Sequence, residues 1–548
     1  MKKLLLFMPF LVMTFMQAQV SLVKDINPGP SDGVTNQFIG FNNQLYFSAN
    51  DGINGHELWK SNGSLSGTQL LADLQSNTGI SSFPQRFFYS NFANEVYFVA
   101  NASSTSIINY EPLKIDITGS VTIIKEINTT PSSGDASSYP MYFTEYSNRV
   151  YFSAFDSSIG VEVHFTDGTD AGTGVLKNIN PEFPVGVNPD NYTVSNGKLF
   201  FVALVNPPAQ IPATGQELYI SDGTEIGTDL LLDINPGTAN SSPEYLTDFN
   251  NKLYFVADDG TNGRELWVSD GTVAGTQRLN NLNPIVGDLG NPQNFIVFNN
   301  ALYFTATHAS FGTELFKMTT SNTITNLKNI AAGTASSNPS SLFVSNGRLY
   351  FSADDGTNGV ELWSSTGFSS TTNMIKNINT SPSSPDSNPN GFTEYNGKLY
   401  FSANDGTSGT ELWVTDGTNA GTILVDDINT SGDSNPENLT VAGDNLFFSV
   451  TTPTTGKELF KYYDPTLSIN KIELESSIAL FPNPVSDGFS IETKHIINHI
   501  SIIDIQGKSV KTFKEQLTSY NIEELTSGLY FINIKTNEGE ITKKLIKQ

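Results

Sequence analysis

Nine glutamates recur at one position of a repeated phrase: Glu57, Glu111, Glu162, Glu217, Glu265, Glu314, Glu361, Glu411 and Glu458. A ring of carboxylates could gather cations. Repetition argues otherwise, because a residue present in every repeat performs a task that every repeat shares. Accepting backbone N–H bonds at a hairpin or between repeats is such a task. A catalytic centre needs unlike residues converging on one place. A structural role is therefore expected for all nine, with no catalytic residue and no metal ligand among them. The Asp-Asp-Gly-Thr-Asn-Gly loops at 258–263 and 354–359, with relatives at Asp51 and Asp405, raise the question of calcium. Calcium takes six to eight oxygens. These loops offer one or two carboxylates and lack a spaced Asp ladder, so turn chemistry accounts for them without an ion. No cofactor is expected, with calcium the one ion the loops would suit.

Trp59, Trp267, Trp363 and Trp413 share a repeat position, filled by Tyr219, Phe316 or Phe460 elsewhere. Exposed, they could stack on sugars; beside Leu in mid-strand, they are expected to pack between repeats. His56, His164 and His308 are isolated, and His495 and His499 read as incidental. The chain has no Cys, which excludes disulfides, thiolate metal sites and thiol catalysis. No nucleophile elbow, Walker loop or HExxH is present. The less repetitive insertions, Val205–Thr214 and Ser381–Asn390, are the better ligand-binding candidates, since loops carry specificity.

The elements that position these groups are short strands. An aromatic after a Leu or Val falls at Tyr46, Tyr97, Tyr151, Phe200, Tyr254, Tyr303, Tyr350, Tyr400 and Phe447, spaced 47 to 54 residues apart. Each unit reads as four strands. In the clearest copy they are Tyr245–Phe249, Leu253–Ala257, Glu265–Ser269 and Gln277–Leu282, separated by Asn-Asn, Asn-Gly and Asp-Gly turns. Four up-and-down strands per unit of this length predict a β-propeller blade. The ninth unit lacks its fourth strand after Lys457-Glu458-Leu459-Phe460. The segment Leu22–Gly29 matches that missing strand. The predicted fold is all-β: a single-ring propeller of about nine four-stranded blades over residues 19–462, closed by the N-terminal strand. Closure removes sheet edges that would otherwise invite aggregation.

Composition narrows the partners. The 548 residues carry 29 Lys+Arg and 55 Asp+Glu, a net charge of −26. A polyanion such as nucleic acid would be repelled. Lys2 and Lys3 precede the apolar run Leu4–Met16, followed by Gln17-Ala18. This pattern predicts a signal peptide over 1–18, cut between Ala18 and Gln19. No other stretch is long and apolar enough to span a bilayer, so no membrane span is expected in the mature chain. From Lys471 onward there are 9 Lys against 10 Asp+Glu, whereas the chain upstream has 20 basic and 45 acidic residues. The shift marks a boundary, with a linker over 463–472 and a second domain over 473–548.

Three blocks stand out in that second domain. They are Leu480-Phe481-Pro482-Asn483-Pro484-Val485-Ser486-Asp487, Ile503–Val510 around Gly507, and Leu525–Ile534 around Gly528. In order and spacing they resemble the type A C-terminal sorting domain of the type IX (Por) secretion system of Bacteroidetes. The resemblance implies a small β-sandwich that delivers its passenger across the outer membrane, with the type IX machinery as partner. Pro482, Asn483, Pro484, Gly507 and Gly528 carry it. The phrase Glu-Leu-Trp-x-Ser-Asp-Gly-Thr-x-x-Gly-Thr, at 217–228, 265–276 and 411–422, resembles a repeat of secreted bacterial proteins and brings no activity with it. The expected product is an extracellular or cell-surface binding or adhesion protein, with a glycan or protein ligand. A hydrolytic, polysaccharide-degrading propeller and a structural surface component are the alternatives.

Overall fold

Asparagine pairs turn the chain back on itself where alternating apolar runs end. Asn250 and Asn251, with φ of 54° and 55°, lie between strands Glu244–Phe249 and Lys252–Asp258. Both central residues of such a turn need positive φ, which Asn tolerates. The computed structural model describes residues 19–75, 80–103, 108–129, 134–181, 186–205, 214–279, 290–464, 474, 477–505, 508–514, 516–536 and 539–548. The expected leader 1–18, with Ala18 at its cut, lies outside the described residues. So do most of the 463–472 linker, the 206–213 part of the first insertion, and Gly507.

The described chain is all-β apart from a 3-10 turn at Ser369–Thr371 and an isolated helical position at Leu474. It divides into a unit Val20–Lys461 and a unit containing Tyr462–Gln548. Among the described residues, the first unit holds nine four-stranded antiparallel sheets. Eight of them take consecutive strands in order. In the fifth, Tyr254 pairs with Val268 and Phe255 with Trp267 across the second and third strands.

The ninth sheet is assembled from both ends of this unit. Its order places Gln19–Lys24 beside Gly456–Tyr463, then Asn445–Thr452 and Glu437–Ala442. The N-terminal strand thus ends at Lys24, earlier than the Leu22–Gly29 segment expected from sequence. The reason is local. Ile26 and Asn27 direct their N–H groups to the Glu458 carboxylate, at 3.0 and 3.1 Å, and so leave the strand ladder.

The core lies between sheets. Leu253, Tyr254, Phe255, Val256 and Ala257 of one second strand are all buried, so both faces of that strand are covered. Near-continuous apolar runs are what a strand covered on both faces requires. The first strands of successive sheets lie against one another, and that of the ninth lies against that of the first. Val23, Ile26, Phe447 and Leu459 share a buried cluster with Leu45, Phe47 and Trp59 of the first sheet.

The C-terminal unit pairs Ala479–Phe481, Gly488–Glu492 and Tyr520–Asn521 in one sheet. A second sheet takes Ser509–Phe513, Ile497–Ile503, Gly528–Thr536 and Gly539–Lys547 in that order. Phe489, Ile500, Ile502, Tyr520, Ile532 and Leu545 are fully buried between them.

Candidate functional site

Each of the nine repeated glutamates is fully buried. A buried carboxylate must be supplied with hydrogen-bond donors. Glu361 receives Ile378 N–H at 2.8 Å, Asn379 N–H at 3.0 Å and Ser387 Oγ–H at 2.7 Å. Glu217 receives Ile234 and Ser241 N–H at 2.9 and 3.0 Å, and Ser241 Oγ–H at 2.6 Å. Glu57 and Glu411 repeat this pattern through Leu74 and Ser82, and through Ile428 and Ser434. In every such cage the carboxylate ties the end of the fourth strand to the segment that enters the next sheet.

Burial pushes eight of these carboxyls, those of Glu57, Glu111, Glu162, Glu217, Glu314, Glu361, Glu411 and Glu458, above their usual range. Glu111 and Glu162 rise to about 8, and Glu217, Glu361 and Glu458 to about 7. Donor supply opposes the shift. Glu162 faces Val187 where six other cages have Ser, and its two N–H donors stand off at 3.3 and 3.5 Å.

The cage serines, which donate to six of the nine glutamates, escaped the sequence reading, although a signal was present. Ser337-Asn338-Pro339, Ser387-Asn388-Pro389 and Ser434-Asn435-Pro436 each precede a first strand. Ser387→Ala removes the hydroxyl donor from Glu361 without touching the core. Urea unfolding at pH 8.5, where Glu361 is ionised, should show a loss of about 1.5–3 kcal/mol, the worth of a hydrogen bond to a charged group. An unchanged midpoint would mean that the hydroxyl does not support the cage.

The remaining recurrent polar groups are also consumed within their own repeats. Asp270 accepts Thr272 N–H and Oγ1–H at 2.9 and 2.7 Å. Ser269 and Thr276 pair their hydroxyls at 2.8 Å. Asp259 accepts Thr261 N–H, Asn262 N–H and Asn262 Nδ2–H at 3.0, 2.7 and 2.7 Å. Asp355 does the same for Thr357 and Asn358. Among the described residues, no group of three or more His, Cys, Asp or Glu gathers around a point that could hold a metal.

Trp59, Trp267, Trp363 and Trp413 are buried. Trp267 and Trp363 donate Nε1–H to the Ala257 and Ala353 carbonyls, both at 3.1 Å. Lysines of neighbouring fourth strands cover three of the four rings. Lys328 and Lys376 sit 5.8 Å from the centroids of Trp363 and Trp413 and donate to the Thr372 and Thr422 carbonyls. Lys24 of the N-terminal strand does likewise, 5.0 Å from Trp59 and 3.0 Å from Thr68 O.

His164 is buried, with Nδ1 3.1 Å from Glu162 O, and burial lowers it to about 4. His56 stacks on Phe83 and His308 on Phe311. His495 lies 2.9 Å from Ser477 Oγ.

Open polar surface survives where the repeat is broken. A cleft of about 680 Å³ is bordered by Asn379, Ser384, Asn388, Asn404, Thr407 and Asn435, and so takes in the Ser381–Asn390 insertion. Its walls carry amides, hydroxyls and the carboxylates of Asp386 and Asp433, suited to a ligand rich in hydroxyl or amide groups. A second groove, of about 510 Å³, lies between the first strands of the fourth and fifth sheets at Asn191, Tyr192, Thr193, Glu244, Tyr245 and Leu246. Sequence reasoning did not single it out, because its residues are ordinary strand residues until neighbouring strands bring them together.

In the C-terminal unit, Asn483 donates Nδ2–H to Lys544 O at 2.6 Å and accepts Ile546 N–H at 2.9 Å. The Pro482-Asn483-Pro484 block therefore clamps the last strand, and Gly528 opens the strand beside it.

Residues 479–548 match the family model described as a secretion system C-terminal sorting domain. That domain implies export by type IX secretion and an encounter with its machinery. No helix among the described residues is long and apolar enough to cross a membrane. No curated protein matches the chain. Among solved structures, PorZ, a surface component of the type IX secretion system of Porphyromonas gingivalis, is 13% identical over 94% of this chain and 75% of its own, with a TM-score of 0.36. A puromycin-hydrolyzing peptidase of Mycobacterium tuberculosis is 14% identical over 68% of this chain and 59% of its own, also at 0.36.

Proposed function

We propose that the chain is an exported binding protein whose nine sheets form the blades of one closed propeller, with a glycan or protein as ligand at or beyond the cell surface. One observation carries the binding reading. The repeated polar groups are committed to their own loops and cages, while the 680 Å³ polar cleft beside the Ser381–Asn390 insertion remains open to solvent. A site that departs from the repeat is where specificity belongs.

Closure draws support from the N-terminal strand in the ninth sheet and from Lys24 crossing to the first sheet as Lys328 and Lys376 cross elsewhere. Export draws support from the sorting domain, together with the leader expected over 1–18. The buried glutamates act as struts between the end of one blade and the start of the next.

Glycan arrays and cell-surface binding with the mature chain test the ligand reading. Ser384 and Thr407 are exposed at the cleft. Ser384→Arg and Thr407→Arg should together lower affinity at least tenfold with the unfolding midpoint unchanged. Ligand turnover with product release would replace binding by hydrolysis. Absence of any retained glycan or surface protein would sink the reading and leave a structural role.

A further inference from the structure

The first strands carry a repeated kink. Their second residue has positive φ: 57° at Arg86, 60° at Tyr142, 53° at Asn191, 57° at Tyr245, 58° at Asn294, 53° at Ser341, 67° at Gly391 and 59° at Asn438. The kink sets a bulge against the second strand. Asn and Ser accept such a backbone more readily than an aromatic does. Arg86, Tyr142 and Tyr245 all depart from that preference, and of the three only Tyr245, 38% exposed, borders the groove between the fourth and fifth sheets. A bulky residue held in that backbone at the wall of an open groove points towards function rather than packing.

The surroundings of Tyr245 suit a particular chemistry. Phe295 of the next sheet backs the ring, with centroids 5.9 Å apart. Beside it, Glu244 receives Arg264 Nη2–H at 2.6 Å and still exposes 49% of its side chain. Arg264 also reaches the Ser242 carbonyl at 3.3 Å, which holds the guanidinium, and with it the carboxylate, in place. Across the groove, Asn191 is exposed and directs its Nδ2–H groups to Asp190 Oδ1 at 3.2 Å and Pro243 O at 3.5 Å, which leaves its side-chain oxygen as the group it offers. Burial, and then the charge of Glu244, raises Asp190 to about 6.

We propose that this groove is a subsite for one pyranose ring of a neutral glycan, with Tyr245 as the face on which the ring stacks and Glu244 and Asn191 as its hydrogen-bonding partners. The inference rests on reading the chain as a binding protein, and it adds a site distinct from the polar cleft. The volume of about 510 Å³ falls within the ~300–1,000 Å³ of small-molecule pockets. An aromatic ring offers an apolar face to the C–H side of a sugar. A carboxylate and an amide oxygen supply acceptors to which adjacent sugar hydroxyls can donate. Arg264 already meets the charge of Glu244, so the groove is not built as a cation trap. The net charge of −26 repels polyanionic glycans.

Tyr245→Asn is the deciding variant, because Asn occupies the same kinked position in the fourth, sixth and ninth sheets and keeps the backbone comfortable. Tyr142→Asn, at the same position of the third sheet and outside the groove, is its matched control. The full mature chain is screened on neutral, amino and acidic oligosaccharides, and the best neutral one is titrated calorimetrically. At least a tenfold loss is expected for Tyr245→Asn, none for Tyr142→Asn, and an unchanged melting midpoint for both. Glycan binding that survives Tyr245→Asn but falls with Ser384→Arg and Thr407→Arg would overturn the subsite and leave the binding reading standing. A response confined to amino or acidic sugars would overturn the assignment of a neutral ligand. No response to any glycan or surface protein would overturn both readings. If Tyr245→Asn unfolds, Glu244→Gln replaces it, with the same tenfold loss expected and retained affinity overturning the subsite.

Discussion

A chain begun at Gln19 and lacking Ser21 through Pro28 should melt roughly 10 °C or more below the one begun at Gln19 and otherwise intact, or fail to stay soluble. The deletion removes the outer strand of the ninth sheet from beside Gly456–Tyr463. It strips Val23 and Ile26, both buried, from a cluster shared with the first sheet. Each such side chain contributes about 1.5–3 kcal/mol. It also leaves Glu458 without the Ile26 and Asn27 N–H groups. An unsupplied buried acceptor costs a further ~1–3 kcal/mol. The uncovered strand edge is a template for pairing with a second chain. Differential scanning calorimetry and light scattering read both consequences. A peptide spanning Gln19 to Pro28, added in trans, should restore part of the midpoint. Harmless truncation would mean that the strand is not the closing element, and the closed ring would have to be abandoned.

Removing a strut from inside a repeat should cost as much as a core cavity. Glu361→Ala leaves the Ile378 and Asn379 N–H groups and the Ser387 hydroxyl without their acceptor. Each orphaned donor costs about 1–3 kcal/mol, so a loss of about 3–5 kcal/mol is expected once partial relaxation is allowed. Glu361→Gln keeps one acceptor oxygen and should cost less. Glu458→Ala combined with the N-terminal deletion should be clearly less than additive, since both remove the same contacts. Full additivity would separate the carboxylate from closure.

The same struts set the sign of the pH dependence. Their folded pKa values, about 7 to 8 for five of them, stand above the ordinary glutamate value of 4.5. Their contribution is complete below pH 4.5 and is lost as pH rises through 7 and 8. Asp270 and Asp416 work in the opposite sense. Hydroxyl and amide donation from Thr272 and Thr418 holds them below their usual value, and their contribution fades only as pH falls below it. The melting midpoint should therefore be higher near pH 5 than near pH 8.5. A midpoint that climbs across that interval would show the struts to be ionised throughout.

Sequence alone determined the all-β class, the four-strand period and the sorting domain at the C-terminus. These were legible because they are local: a two-residue alternation, an Asn or Gly at each turn, and motif blocks within short stretches. Tyr254 and Phe255 announce a second strand on their own, and Pro482-Asn483-Pro484 needs no partner to be recognised. The glutamates could be seen to repeat, but not to be caged, since the donors to Glu361 come from 17 to 26 residues away. The cage serines were overlooked because Ser before Pro looks like any loop.

Only the tertiary structure decided which residues break the repeat in space. Asn191 and Tyr245 lie 54 positions apart in the chain, and neither departs from strand chemistry alone. They border one groove because sheets stack laterally, bringing equivalent positions of consecutive repeats side by side. The joining of Gln19–Lys24 to a strand more than 400 residues away is of the same kind. Hydrophobic periodicity says that an edge must be covered, and only packing says by what.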